Sequence, residues 1–166
     1  MNRTGRFALA LLASLLPLGG SPLAADIDPA IATYVLPKDI PWRKNPLNPG
    51  NEQAILYGDP SKPGDFYIVR VKWLPGNMSR PHFHANDRLI VVISGTWWVG
   101  TGDKFDPEST VPMPAGTYVT HFGGKVHYDG AKDEEVIVQI SGMGPSGTNV
   151  VNKQLGEIVK ALTEKK

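Results

Sequence analysis

The 166-residue chain has 18 glycines, 15 prolines and no cysteine, and 41% of it is apolar. That length suits one domain, the missing cysteines exclude disulfides, thiolate zinc sites, iron–sulfur clusters and cysteine nucleophiles, and the apolar content argues against wholesale disorder. The net charge of +1 falls to −1 once residues 1–25, with Arg3, Arg6 and no acid, are set aside; a near-neutral remainder without a basic run lacks the electrostatic footprint of a nucleic-acid binder.

In chain order, a basic stretch from Met1 to Arg6 leads into an apolar run from Phe7 to Leu18 and a small-residue segment ending at Ala24-Ala25. This is the layout of a secretory signal peptide, with cleavage expected near Ala25. The apolar run is too short, and too interrupted by Pro17, to span a bilayer. The remaining chain of about 141 residues is expected to be exported to the periplasm, without a stable membrane anchor. Residues 26–64 hold seven prolines and read as an arm wrapping the domain, with one short strand at 54–57 and with Trp42, Ile55, Leu56 and Tyr57 needing burial.

From Phe66 the period changes to two: Tyr67, Val69, Val71 and Trp73 alternate with Ile68, Arg70 and Lys72, the pattern of a half-buried strand. Further strands are expected at 89–93, 96–99, 118–120 and 136–141, each bounded by glycine or proline, so a sandwich or barrel of short strands follows. Trp97 and Trp98 fall on opposite faces, and Asp133-Glu134-Glu135 reads as a solvated turn. Leu155, Ile158, Val159 and Leu162 have helical spacing, predicting a short helix within the extension 143–166.

All four histidines, His82, His84, His121 and His127, lie within 46 residues. His82 and His84 share a face if the segment is extended, a spacing that two imidazole ligands of one metal can use, and imidazole suits zinc, copper, iron and nickel. His121, after Thr120 at an expected turn, reads as a surface histidine. Tyr128 points away from His127 on an extended strand. Gln139 lies on the face opposite Val136, Val138 and Ile140, and since both faces contain apolar residues, parity leaves open which one is inside.

Two segments resemble the motifs of the cupin superfamily over about residues 65–142. Gly76, five residues, His82-Phe83-His84, three residues, Arg88, six residues and Gly95 match the first motif in every spacing, with arginine where the family has glutamate. Gly116, five residues, Phe122-Gly123-Gly124, two residues, His127, three residues and Ala131 match the second, with its proline and asparagine changed. The resemblance implies an all-β double-stranded β-helix, the jelly-roll barrel, with a site in its mouth. It also implies a divalent transition metal (iron, manganese, zinc, copper or nickel) held by His82, His84 and His127.

Arg88 is the difficulty. A unit charge about 4 Å from a divalent ion is repelled by roughly 8 kcal/mol at an effective dielectric near 20, so its guanidinium cannot touch a bound cation. Three alternatives stand: the side chain turns away or pairs with an acid such as Asp87, the metal is absent, or Arg88 grips a carboxylate or phosphate of a substrate that bridges to the metal. Asn86 or Asp87 could replace the missing glutamate if the chain bends after His84. Arg88 and Gln139 are the candidate substrate-binding residues. The leading expectation is a metal-dependent cupin acting on a small, anionic molecule, with oxygenase or isomerase-like chemistry open. The alternatives are a non-catalytic, even metal-free, small-ligand-binding barrel and a structural or assembly protein. A homodimer is the partner that the resemblance implies.

Overall fold

The structure is a computed structural model, and it describes residues 27–46 and 48–151. The expected signal peptide and C-terminal helix lie outside the described residues. The chain divides into a unit ending at Tyr34 and a second beginning at Val35. In the first, Ile31 N and Ala32 N both donate to Asp28 O, closing a turn.

The second unit is built almost wholly of strands: β1 (Arg43–Asn45), β2 (Asn48–Tyr57), β3 (Phe66–Trp73), β4 (His82–Phe83), β5 (Arg88–Ser94), β6 (Thr96–Thr101), β7 (Val111–Pro114), β8 (Tyr118–His121), β9 (His127–Gly130), β10 (Val136–Met143) and β11 (Asn149–Val150). They form a six-stranded sheet in the order β1-β2-β3-β10-β5-β8 and a five-stranded sheet in the order β11-β4-β9-β6-β7. Every pairing between them is antiparallel. Sheet neighbours such as β3 and β10 pair across 63 or more residues (Val136 opposite Trp73, Met143 opposite Phe66). This is the jelly-roll arrangement of the double-stranded β-helix.

The period-two reading of β3 holds: Tyr67, Val69 and Trp73 are buried while Ile68, Arg70 and Lys72 are not. Inward residues of both sheets, including Ile90, Val92, Trp97, Val99, Val136, Val138 and Ile140, make one core. Trp97 is 1% exposed, whereas Trp98 points outward beneath the Lys132 ammonium, 4.1 Å from its ring centre. The turn Asp133-Glu134-Glu135 is exposed, as its charges require.

The proline-rich arm carries more strand than its composition predicts. Instead of four residues, β2 runs for ten and acquires an edge partner in β1. Pro49 is tolerated because β2 begins to pair with β3 only at Asn51, so the missing N–H costs no ladder bond there. Trp42 finds its cover beneath Lys72, 4.4 Å from the ring centre.

The motif glycines make the turns that bring the site together. Gly95, the one residue between β5 and β6, has φ +71°, and a Cβ there would collide with the Glu135 carbonyl. Glycine is the only residue that accepts both conditions.

Candidate functional site: a histidine-lined cavity in the barrel

Between the sheets lies a cavity of about 830 Å³. Apolar walls from Val69, Trp73, Ile90 and Trp97 surround a polar patch made by all four histidines, Arg88 and Asp129.

His82 on β4 stands directly opposite His127 on β9, which places their side chains on one face. His84 follows two residues after His82, in the loop whose carbonyl accepts from Gly124 N at 2.7 Å. All three histidines are buried, with ring centres 4.5–5.2 Å apart.

Each Nδ1 faces a backbone carbonyl: Arg80 O at 2.7 Å from His82, Gly147 O at 2.9 Å from His84 and Lys125 O at 3.0 Å from His127. A carbonyl only accepts, so each Nδ1 carries the hydrogen and each Nε2 presents a lone pair. Yet His82 Nε2 and His84 Nε2 lie 3.1 Å apart. Two lone pairs at that distance repel unless a cation lies between them. A shared proton suits the site badly, because burial first and then the Arg88 charge push the His84 pKa down to about 2. Burial likewise lowers His82 and His127. A divalent ion suits it well: the spacing is one that two nitrogens about 2.1 Å from a common ion can adopt, and carbonyl-oriented imidazoles are the usual outer support of such ligands. The atoms that His82, His84 and His127 offer lie within 4.8 Å of one another. These residues fit a transition metal.

Arg88 enters the cavity from β5. Its Nη2 donates to Ser146 O at 2.9 Å and to Ser146 Oγ at 2.6 Å, and its Nε is buried without a hydrogen-bond partner. Burial lowers its pKa, while Tyr67 and Asp129 pull it back up. It forms no pair with Asp87, whose Oδ1 instead accepts from Gly123 N at 2.7 Å. Asn86 donates to Met143 O at 2.9 Å. Neither takes the place of the missing glutamate, because Asp87 is tied to the loop at Gly123 and Asn86 to the end of β10.

His121 is not the surface histidine that its turn-like position suggests. β8 extends one residue further than expected, so His121 pairs directly with Arg88 and projects into the cavity, its ring centre 3.9 Å from that of His127. Its Nε2 is buried and without a hydrogen-bond partner, and burial lowers its pKa to about 3.

Gln139 is not among the cavity's lining residues. Its Oε1 accepts from Arg70 Nε at 3.2 Å, on the face of the six-stranded sheet opposite Val138 and Ile140. The inner face of β10 carries Val136, Val138, Ile140 and Gly142, since the core takes the side without polar side chains. Tyr128 does turn away from the site, and its hydroxyl donates to Asp106 O at 3.0 Å.

Three contributors escaped the sequence reading: Asp129, Ser146 and Gly147. Asp129 could have been found, since it follows His127 by two and therefore shares its face. Ser146 and Gly147 lie 58 and 63 residues from the side chains they hold, beyond the reach of any local pattern.

No protein-family model matches the chain, and no curated protein does. Solved structures do. The chain is similar to the polyketide cyclase RemF from Streptomyces resistomycificus, with 16% identity and a TM-score of 0.60 over 72% of this chain and 85% of that one. It is similar to a cupin-2 domain protein from Rhodospirillum rubrum, with 15% identity and a TM-score of 0.55 over 78% and 86%. A protein with a cupin-like fold from Ralstonia eutropha gives 21% identity and a TM-score of 0.56 over 70% and 75%. Identities this low speak to the fold alone.

Proposed function

Starting from a cupin-fold barrel with its histidines gathered inside, we propose an exported protein that holds one divalent transition metal through His82, His84 and His127. Beside the metal it binds a small anionic molecule, with Arg88 as the anion contact. The observation that carries this reading is the set of three Nδ1–carbonyl contacts, which leaves three Nε2 lone pairs converging with two of them 3.1 Å apart. A metal held there would act as a Lewis acid toward a bound oxygen or nitrogen of the substrate.

The chain's own residues do the rest. Arg88 offers its unpartnered Nε and the charge of a guanidinium fixed on one side by Ser146, a geometry suited to a carboxylate or phosphate. The apolar walls exclude water and strengthen that contact. Export rests on the layout of residues 1–25; intact-mass measurement of periplasmic protein checks it, a mass retaining those residues overturning it.

The test is elemental analysis of untagged protein recovered from the periplasm, beside a His82→Ala/His127→Ala variant. One metal per chain, lost in the variant, is the expected result. No metal in either, and no uptake of added iron, manganese, copper or zinc, overturns the reading. A second reading, a non-catalytic barrel that captures a small anion, is favoured by one observation: a half-buried cationic side chain on the cavity wall, where a metal ion is repelled. Turnover of small carboxylates and phosphates, with oxygen uptake followed, separates the two.

A further inference from the structure

Arginine stands at the position where the resemblance expects a carboxylate ligand, yet the cavity does contain a carboxylate. Asp129 sits on β9 two residues beyond His127, on the same face, and its Oδ2 is 3.8 Å from His127 Nε2. Its backbone is clamped to a neighbouring loop: Ser79 N donates to Asp129 O at 2.7 Å, and Asp129 N donates to Ser79 Oγ at 2.9 Å. The side chain is therefore held in the cavity wall.

Among the described residues, His127 Nε2 is the one cation-capable nitrogen within 4.0 Å of that carboxylate. His127 has its hydrogen on Nδ1, so it offers a lone pair there and no charge. A buried carboxylate without an ionic partner is costly, and Asp129 is 6% exposed. Next to it His121 Nε2 and His127 Nε2 are both buried and unpartnered. The ligating atoms of His121, His127 and Asp129 lie within 4.8 Å of one another, a second group that shares His127 with the first. His127 Nε2 has a single lone pair and can serve only one ion. The two groups therefore cannot be filled at once, and Asp129, which is not grouped with His82 and His84, reaches their ion by swinging its carboxylate past His127 Nε2, 3.8 Å away.

We propose that Asp129 is the carboxylate ligand of the ion held by His82, His84 and His127, the acid absent at position 88 being supplied instead from β9. This rests on the three-histidine reading above. The exchange also lowers the charge: the carboxylate brings a divalent centre down to a net +1, which weakens its repulsion from Arg88 in the other sheet. Relocation permits what the motif forbids, an arginine and a metal in one cavity.

Cobalt(II) titrated into the metal-stripped full chain tests it, with affinity and the visible d–d absorption as readouts, for wild type, Asp129→Asn and His121→Asn. The expected result is at least a tenfold loss of affinity and an altered d–d spectrum in Asp129→Asn, with the spectrum of His121→Asn unchanged. Wild-type affinity and spectrum in Asp129→Asn overturn the proposal. Weaker binding with an unchanged spectrum also overturns it, because Asp129 then acts by charge alone. A spectral change confined to His121→Asn moves the fourth position to that residue. Should Asp129→Asn fail to fold, infrared difference spectra of wild type decide: a carboxylate stretch displaced by cobalt supports ligation, and none refutes it. Wild type that takes up no cobalt defeats the three-histidine reading itself, whereas uptake lost in His82→Ala but untouched in Asp129→Asn defeats only this one.

Discussion

Replacing Arg88 by methionine separates two effects that ordinarily move together. The Arg88 charge lowers the proton affinity of His82, His84, His121 and His127, so its field covers the whole imidazole cluster. What repels a proton repels a divalent ion twice as strongly. Across a gap of about 8 Å between the two sheets and at an effective dielectric near 20, the penalty is about 4 kcal/mol. Screening by Asp129 cancels part of it. Arg88→Met should therefore tighten metal binding by at least tenfold, up to about a thousandfold. The same substitution removes the positive field that Arg88 exerts on the buried Asp129 carboxylate. The metal-free variant should thus melt lower than wild type while gaining more from added metal. Competition against a chelator of known affinity measures the first effect, and thermal melts with and without zinc measure the second. A variant that folds and binds metal no more tightly than wild type would refute this account of the cavity's electrostatics.

Three further outcomes are expected. Gly95→Ala should lose about 1–3 kcal/mol in urea unfolding, because alanine must adopt φ +71° and its Cβ meets the Glu135 carbonyl; an unchanged midpoint would contradict the fixed turn. Tyr128→Phe removes the 3.0 Å bond to Asp106 O and should cost about 1 kcal/mol without altering metal content; loss of metal would place Tyr128 in the site. In metal-stripped protein, His84 and His121 titrate at about 2 and about 3 instead of 6.5, so both are neutral when folded and bind protons on unfolding below pH 6.5. Stability is then full above that value and falls with acidification, by about 1.4 kcal/mol per pH unit for each histidine between roughly pH 6 and pH 4. Asp129, raised by burial, opposes this over the carboxylate range. Urea curves superimposing at about pH 7 and pH 5 would refute the neutral-histidine assignment.

How far the residues announce this site depends on how local each contact is. The parity of His82 and His84 and the motif glycines are properties of a few neighbouring residues, and they are legible. His121 was misplaced by a single residue at the end of β8: strand ends are set by pairing partners, here Arg88, and not by the strand's own composition. Gln139 could not be oriented because Ile137 and Val138 make both faces of β10 look apolar; only the packing of the second sheet selects one. The arm's longer strand escaped notice for a related reason. Pro46 and Pro49 argue for loop locally; Pro46 does lie in a turn, but Pro49 falls inside β2, where pairing at the sheet edge overrides it. Arg88 was left with three alternatives, and its tether to Ser146, which holds it at the cavity, is tertiary and leaves no trace in the neighbouring residues.

The groups that orient the three histidines are the carbonyls of Arg80, Lys125 and Gly147, and every amino acid has a carbonyl. No point substitution at those positions can delete the acceptor; it can only be moved by bending the chain. An orienting aspartate or asparagine, by contrast, can be lost in a single codon change. Substitutions accumulating around this cavity would therefore alter what it binds and how tightly, as the arginine at position 88 illustrates, long before they turned an imidazole out of line.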